Sequence, residues 1–241
     1  MIVKISARFY SKYHLTNSKR KGKLLMLKLY GFDLSTPVNK VKYTLNFLHI
    51  PYEYISINPQ KGELQLPEHL GRHPAGKVPV IDDKGFILFE SNSIIRYLAQ
   101  KENNNQLYPS DLKSQAIVNQ WIDFSSNHIG KNMSRIIFNR FFAKKVGVAV
   151  DTRAMEEGES FLLKYLPILE AQLKSNIYLL GNEITLADIA LVAHIDPIEI
   201  VGIDLDIYPN LSRWFNQIRS QKFYSQVHHY YAEGMIEKEI A

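Results

Sequence analysis

Ser35 stands in Leu34-Ser35-Thr36-Pro37, where a strand-like run gives way to a helix-like one. Proline is favoured at the first helical position. Thr36 is therefore the expected N-cap, and the Ser35 hydroxyl is left one residue outside the helix, free to point at a ligand. Helix N-terminal amides with a spare hydroxyl donor make a place for an anion. Phe89-Glu90-Ser91 repeats the arrangement at a second strand-to-helix turn. There Ser91 and the amides after it can hold a carboxylate while Glu90 holds an ammonium, which together suit an α-amino-acid head group. Taken alone, each turn is better read as a plain helix cap. Gly76-Lys77-Val78-Pro79 leads into a strand. A cis bond before Pro79 would turn the Val78 backbone outward, where an extended peptide can pair with it. Thr185-Leu186-Ala187-Asp188 has the spacing of a capping box, with Asp for the usual Glu and apolar Ile184 ahead of it. Thr185 and Asp188 thus read as structural residues that start a core helix.

The elements that must position these residues follow from periodicity. Residues 27–31 read as a buried strand and 37–48 as a helix, with Val38, Val41, Leu45 and Leu48 on one face. Residues 52–57 alternate as a second strand, and 65–72 suit a short helix. Two short strands at 78–81 and 86–89 flank a hairpin turn at Asp82-Asp83-Lys84-Gly85. A helix over 91–101 completes the order βαβαββα. The polar stretch 102–106 falls in a linker, assigned to 103–112. Beyond it the pattern is helical: a long helix over 113–143, another over 152–174 that Pro167 should kink or break, a third from Thr185, and last ones over 209–219 and 221–231. The fold class is α/β plus all-α: a small domain at 26–102 followed by an all-helical one at 113–241.

The 241 residues carry a net charge of +5 and a pI of about 9.1, which invites a nucleic-acid reading. Position removes the invitation. Lys4, Arg8, Lys12, Lys19, Arg20, Lys21 and Lys23 lie in residues 1–25, which contain no acid; the remaining 22 basic residues face 24 acidic ones, a net of −2. The body shows no basic helix face, so no nucleic-acid partner is expected. The leader 1–25 reads as an inert tail, a misplaced start ahead of Met26, a targeting segment that would make the compartment mitochondrial, or an arm for nucleic acid or a membrane; otherwise the expectation is cytoplasmic. No run of ~18 apolar residues is present, so no membrane-spanning helix is expected. The absence of cysteine excludes disulfides, thiolate metal sites and a thiol nucleophile borne by the chain. His128 has no acid or histidine at metal-ligand spacing, so no metal is expected, and His228-His229 reads as a solvated helix face.

In order and spacing these motifs resemble one family. Leu34-Ser35-Thr36-Pro37 followed by Lys40-Val41, Gly76-Lys77-Val78-Pro79, Phe89-Glu90-Ser91-Asn92-Ser93-Ile94, Tyr108-Pro109, Thr185-Leu186-Ala187-Asp188 and Tyr208-Pro209-Asn210-Leu211-Ser212-Arg213-Trp214 are similar to those of cytosolic-type glutathione transferases, nearest the theta and phi-like group with an active-site serine. The resemblance spans about residues 26–235. It implies a thioredoxin-like first domain with glutathione as co-substrate and no permanently bound cofactor. It also implies that Ser35 donates to the glutathione sulfur and that Val78 pairs with the cysteinyl backbone across cis-Pro79. Glu90 and Ser91 would then hold the γ-glutamyl end, with Lys77 and Gln65 near the glycine end. Leu64 departs from the pattern, standing where many relatives carry a histidine. No cysteine adjoins Ser35, which disfavours the cysteine-type branches.

The implied reaction is conjugation of glutathione to a small hydrophobic electrophile by a homodimer. The electrophile is expected between the Ser35 turn and the 113–143 helix, with Trp121, Phe124, Asn127, His128, Lys131 and Phe138 as candidates. The same site would also serve a glutathione-dependent peroxidase or disulfide reductase, and a third reading is a non-catalytic glutathione-binding or regulatory protein.

Overall fold

The computed structural model describes residues 26–228 and 231; the leader 1–25 and His229 lie outside the described residues. The first half runs β1 (Leu27–Gly31), α1 (Thr36–Phe47), β2 (Tyr52–Ser56), α2 (Pro67–Leu70), β3 (Val80–Asp83), β4 (Phe86–Phe89) and α3 (Ser91–Lys101). The strands form one sheet in the order β2-β1-β3-β4. β1 and β2 are parallel, as a strand–helix–strand crossover requires, while β3 and β4 are an antiparallel hairpin added beside β1. The hairpin turn narrows to Lys84-Gly85, both at positive φ (57° and 94°), the backbone of a two-residue type I′ connection. β3 begins at Val80 and not at Val78, because Pro79 has no N–H to give the ladder.

The helical half contains α4 (Leu112–Phe124), α5 (Lys131–Ile137), α6 (Thr152–Leu173), α7 (Leu186–Ile195), α8 (Ile198–Val201), α9 (Pro209–Arg219) and α10 (Lys222–Ser225). Two expectations are corrected here and a third is narrowed. The 113–143 helix is interrupted by π-helical segments at Ser125–Gly130 and Phe138–Phe142. Ser126, Asn132 and Asn139 donate side-chain bonds to the carbonyls of Ile122, His128 and Arg135, each four residues back. These bonds occupy carbonyls of the helical ladder. Pro167 does not break α6. It lies on the exposed face beside Leu163, whose unpaired carbonyl water can satisfy. The expected 221–231 helix is interrupted: α10 ends at Ser225 and 226–228 are not helical, Tyr224 and His228 both reaching Asp196, while Tyr231 is again helical.

The two halves share one apolar core. Leu29, Val41, Leu45, Ile81, Ile94 and Leu98 from the first are contiguous with Ile122, Ile129, Leu166, Leu186 and Ile189 from the second. All of α7 is buried, so this helix is the axle of the helical half. Gly130 lets the first π segment sit against α7, since a Cβ there would fall 2.5–2.8 Å from the His194 ring. Gly130→Ala is expected to lower stability by about 1–3 kcal/mol through overpacking, read as a lower urea midpoint. An unchanged midpoint would mean that His194 can swing aside.

Candidate active site

Ser35 lies at the N-cap position of α1, and Thr36 is the first helical residue. The cap is therefore one residue earlier than expected, because Pro37 is as well accommodated inside the first turn as at its start. The Ser35 backbone closes the turn, donating to Phe32 O at 3.1 Å and accepting from Asn39 N at 2.9 Å. Its side chain makes no capping bond, and the residue is only 8% exposed. Among the described residues the Ser35 hydroxyl has no hydrogen-bond partner, and it sits at the positive end of a 12-residue helix.

The Val78–Pro79 peptide is cis. Val78 lies outside the β3 ladder and forms no loop hydrogen bond with the described backbone. The loop before it is pinned by buried His69, whose Nε2 lies 2.9 Å from the Lys77 carbonyl. Gly76 has φ +59°, and a Cβ there would sit 2.8 Å from the Gln65 amide nitrogen and 2.9 Å from the Leu64 carbonyl. Gln65 and Lys77 are brought together across that glycine, both exposed. Leu64 packs against a small second core of Tyr30, Ile57 and Val80, which accounts for an apolar residue at that position.

At the third turn Glu90 has φ 70° and ψ 109°, a left-handed backbone costing of order 1–3 kcal/mol for a side chain with a Cβ. Ser91 opens α3, and Ile94 N bonds the Glu90 carbonyl at 2.9 Å. Beneath this turn lies a residue that sequence reasoning cited only as part of a motif. Lys40, 1% exposed, donates from Nζ to Asn92 Oδ1 at 2.7 Å and to Ser91 Oγ at 3.4 Å. Burial, reinforced by the Arg96 charge and opposed by Glu90, brings its pKa down to about 7. Asn92 in turn donates to Ser126 Oγ at 3.0 Å, linking α3 to the first π segment. The available sequence signal was a lysine between apolar Val38 and Val41 on the inward face of α1.

In the helical half, Trp121, Phe124 and His128 join an aromatic group completed by Tyr165 and Phe161 of α6, which sequence reasoning missed. Ring centroids are 5.3 Å apart for Trp121–Phe124, 5.0 Å for Phe124–His128, 4.7 Å for His128–Tyr165 and 6.0 Å for Phe161–Tyr165. Asn127, Lys131 and Phe138 are exposed and outside that group. Among the described residues no three His, Asp or Glu side chains cluster as a metal site, and no helix is long and apolar enough to cross a membrane. His228 is not a solvated residue: its Nδ1 lies 2.9 Å from Asp196, and its side chain is 11% exposed. Thr185 and Asp188 form the capping box of α7.

A four-stranded βαβαββα unit with a cis-proline ahead of its third strand, joined to a helical domain, is the thioredoxin-like architecture of glutathione S-transferases. Family comparisons agree with that class. Residues 29–106 match the glutathione S-transferase N-terminal domain and residues 131–222 the C-terminal domain. The chain is 31% identical over 201 residues to a probable glutathione S-transferase, GSTF2, of Oryza sativa subsp. japonica, covering 81% of this chain and 92% of the relative. It is 31% identical to glutathione S-transferase 1 of Zea mays, covering 79% and 90%. Among solved structures, glutathione transferase F2 of Populus trichocarpa superposes with TM-score 0.76 at 29% identity, covering 83% and 96%. A glutathione S-transferase-I bound with lactoylglutathione superposes with TM-score 0.74 at 30% identity, covering 84% and 98%. The chain belongs to the glutathione S-transferase family and is an enzyme of that family.

Proposed function

We propose that this enzyme joins the glutathione thiolate to small hydrophobic electrophiles, and that it belongs to the serine-type, theta and phi-like group. The observation that carries the reading is the Ser35 hydroxyl at the start of α1, which makes no capping bond. In this reading Ser35 donates to the sulfur and Val78 pairs with the cysteinyl backbone beside Pro79. Glu90 accepts from the γ-glutamyl ammonium and Ser91 donates to its carboxylate. Gln65 and Lys77 meet the glycine carboxylate. The thiol loses its proton to solvent, and the sulfur lone pair forms a C–S bond as the leaving group departs with the bonding electrons or, on an activated alkene, as the π electrons shift to the adjacent carbon, which takes a proton from solvent. The aromatic group around Phe124 and Tyr165 supplies the apolar wall. A relative bound with lactoylglutathione, a glutathione thioester, supports a glutathione site in this fold. Domain limits of 26–102, 103–112 and 113–241, a homodimer and a cytoplasmic location complete the proposal.

The test is a panel of aryl halides, activated alkenes, hydroperoxides and a mixed disulfide, run with glutathione on the full chain and on a chain beginning at Met26. Turnover of the first two classes is expected. Turnover confined to hydroperoxides or the disulfide would replace conjugation by redox chemistry, and binding without turnover would make the protein a glutathione-binding module. Glu90→Ala tests the head-group assignment. Alanine keeps the Cβ, so the strained backbone is unchanged and only the carboxylate is lost. Glutathione affinity is expected to fall roughly tenfold, the worth of one charge-assisted bond, with the pH dependence of turnover intact. A shift of that profile without a loss of affinity would contradict the assignment.

A further inference from the structure

Among the described residues the Lys40 ammonium has no ion-pair partner. Its Nζ is met by two neutral oxygens, of Asn92 and Ser91, and among the described residues no carboxylate lies within ion-pair distance of it. The groups facing it from the elements packed on α1 are Arg96 of α3, Glu90 at the strained turn and His194 of α7. Arg96 is engaged with Asp123 at 3.5 Å. His194 is kept neutral, because burial and the Lys40 charge hold its pKa well below the usual imidazole value. Ser91 Oγ accepts from Lys40, so its own proton is left to donate elsewhere. An anion arriving at Ser91 would therefore meet an oriented hydroxyl with a positive charge directly behind it.

We propose that Lys40 is a positioning residue for the γ-glutamyl carboxylate: it orients the Ser91 hydroxyl, and it takes up a proton as the carboxylate arrives to balance its charge. This rests on the glutathione-binding reading of the site. The sign follows from linkage. In the free enzyme burial brings Lys40 to about 7, and a nearby carboxylate raises that value. Binding is strongest below pH 7 and weakens as the pH rises through it.

The experiment uses S-hexylglutathione, which has no thiol proton to confuse the count, titrated calorimetrically against the full chain in two buffers of different ionisation enthalpy. For the wild type, affinity should fall several-fold from pH 6.5 to pH 8, with net proton uptake near pH 7. Lys40→Arg keeps its charge throughout and should bind with a flat pH dependence and no uptake. Lys40→Met should bind weakly at every pH, also without uptake. Should Lys40→Met fail to fold, the wild type and Lys40→Arg alone decide. Wild-type binding that is independent of pH, or uptake that persists in Lys40→Arg, would overturn the role of Lys40. A wild type that binds no S-hexylglutathione at any pH would overturn the glutathione reading itself.

Discussion

Ser35→Ala is expected to slow conjugation at least about tenfold at neutral pH, with part of the loss returning near pH 9. A free thiol with a pKa of ~8.5 is only ~3% ionised at pH 7. A hydroxyl bond to the thiolate, worth ~1.5–3 kcal/mol, and the α1 terminus, worth ~0.3–1 kcal/mol, can together supply the ~2.7 kcal/mol of a two-unit depression. Ionisation then rises ~25-fold. The sulfur becomes less nucleophilic as its pKa falls, which takes back about six- to tenfold of that gain. Ionisation alone leaves only a few-fold advantage. The rest of the expected loss comes from orientation, because the same bond aims the sulfur at the electrophile. This division produces the pH signature. At high pH the thiol ionises unaided, so the ionisation share is recovered and the orientation share is not. Steady-state rates with an aryl halide across that range check it. A variant with the wild-type rate and profile would remove Ser35 from the sulfur.

The parts of the fold that read from the sequence were those set by local chemistry. α3 runs from Ser91 to Lys101, the bounds its periodicity gives, and α9 opens at Pro209. The order βαβαββα followed from alternation and turn residues. The parts that did not read depend on contacts distant in sequence. Apolar spacing over 113–143 is the same for a continuous α-helix and for one interrupted by π segments. The interruption instead reflects Ser126, Asn132 and Asn139 bonding carbonyls and Gly130 meeting His194. Lys40 was legible only as part of a motif, since its partner Asn92 is 52 residues away. His228 looked like surface because Asp196, its partner, belongs to another element. The Ser35, Glu90 and Val78 turns were visible as turns. Their joint meaning came from spacing along the whole chain, because each motif alone also describes an ordinary cap.

Asp188→Ala is expected to produce the largest loss of stability, about 4 kcal/mol, from a residue with no part in the chemistry. Asp188 is wholly buried, and its two oxygens divide four donors. Oδ1 accepts from Leu179 N at 2.8 Å and from Trp214 Nε1 at 3.0 Å. Oδ2 accepts from Thr185 N at 2.9 Å and from Thr185 Oγ at 3.1 Å. One carboxylate thus ties the start of α7 to the chain that follows α6 and to α9, around the helix on which the helical half is built. Burial raises the Asp188 pKa, while the same four donors pull it back. Alanine would leave four buried donors with no acceptor in a space closed to bulk water, and each such group costs ~1–3 kcal/mol when unpaired, with relaxation recovering part of the sum. Asp188→Asn separates the two ends of the tie. Its single carbonyl can still serve Leu179 and Trp214, and the Thr185 hydroxyl can turn to accept from the new amide, but Thr185 N then faces another donor. A loss of roughly half the alanine value is expected. Urea unfolding gives both numbers, and turnover of the folded asparagine variant should stay near wild type, since the residue supports the site without touching substrate. An alanine variant that loses less than about 1 kcal/mol, or an asparagine variant that folds normally and is inactive, would mean that Asp188 does something other than hold α7 in place.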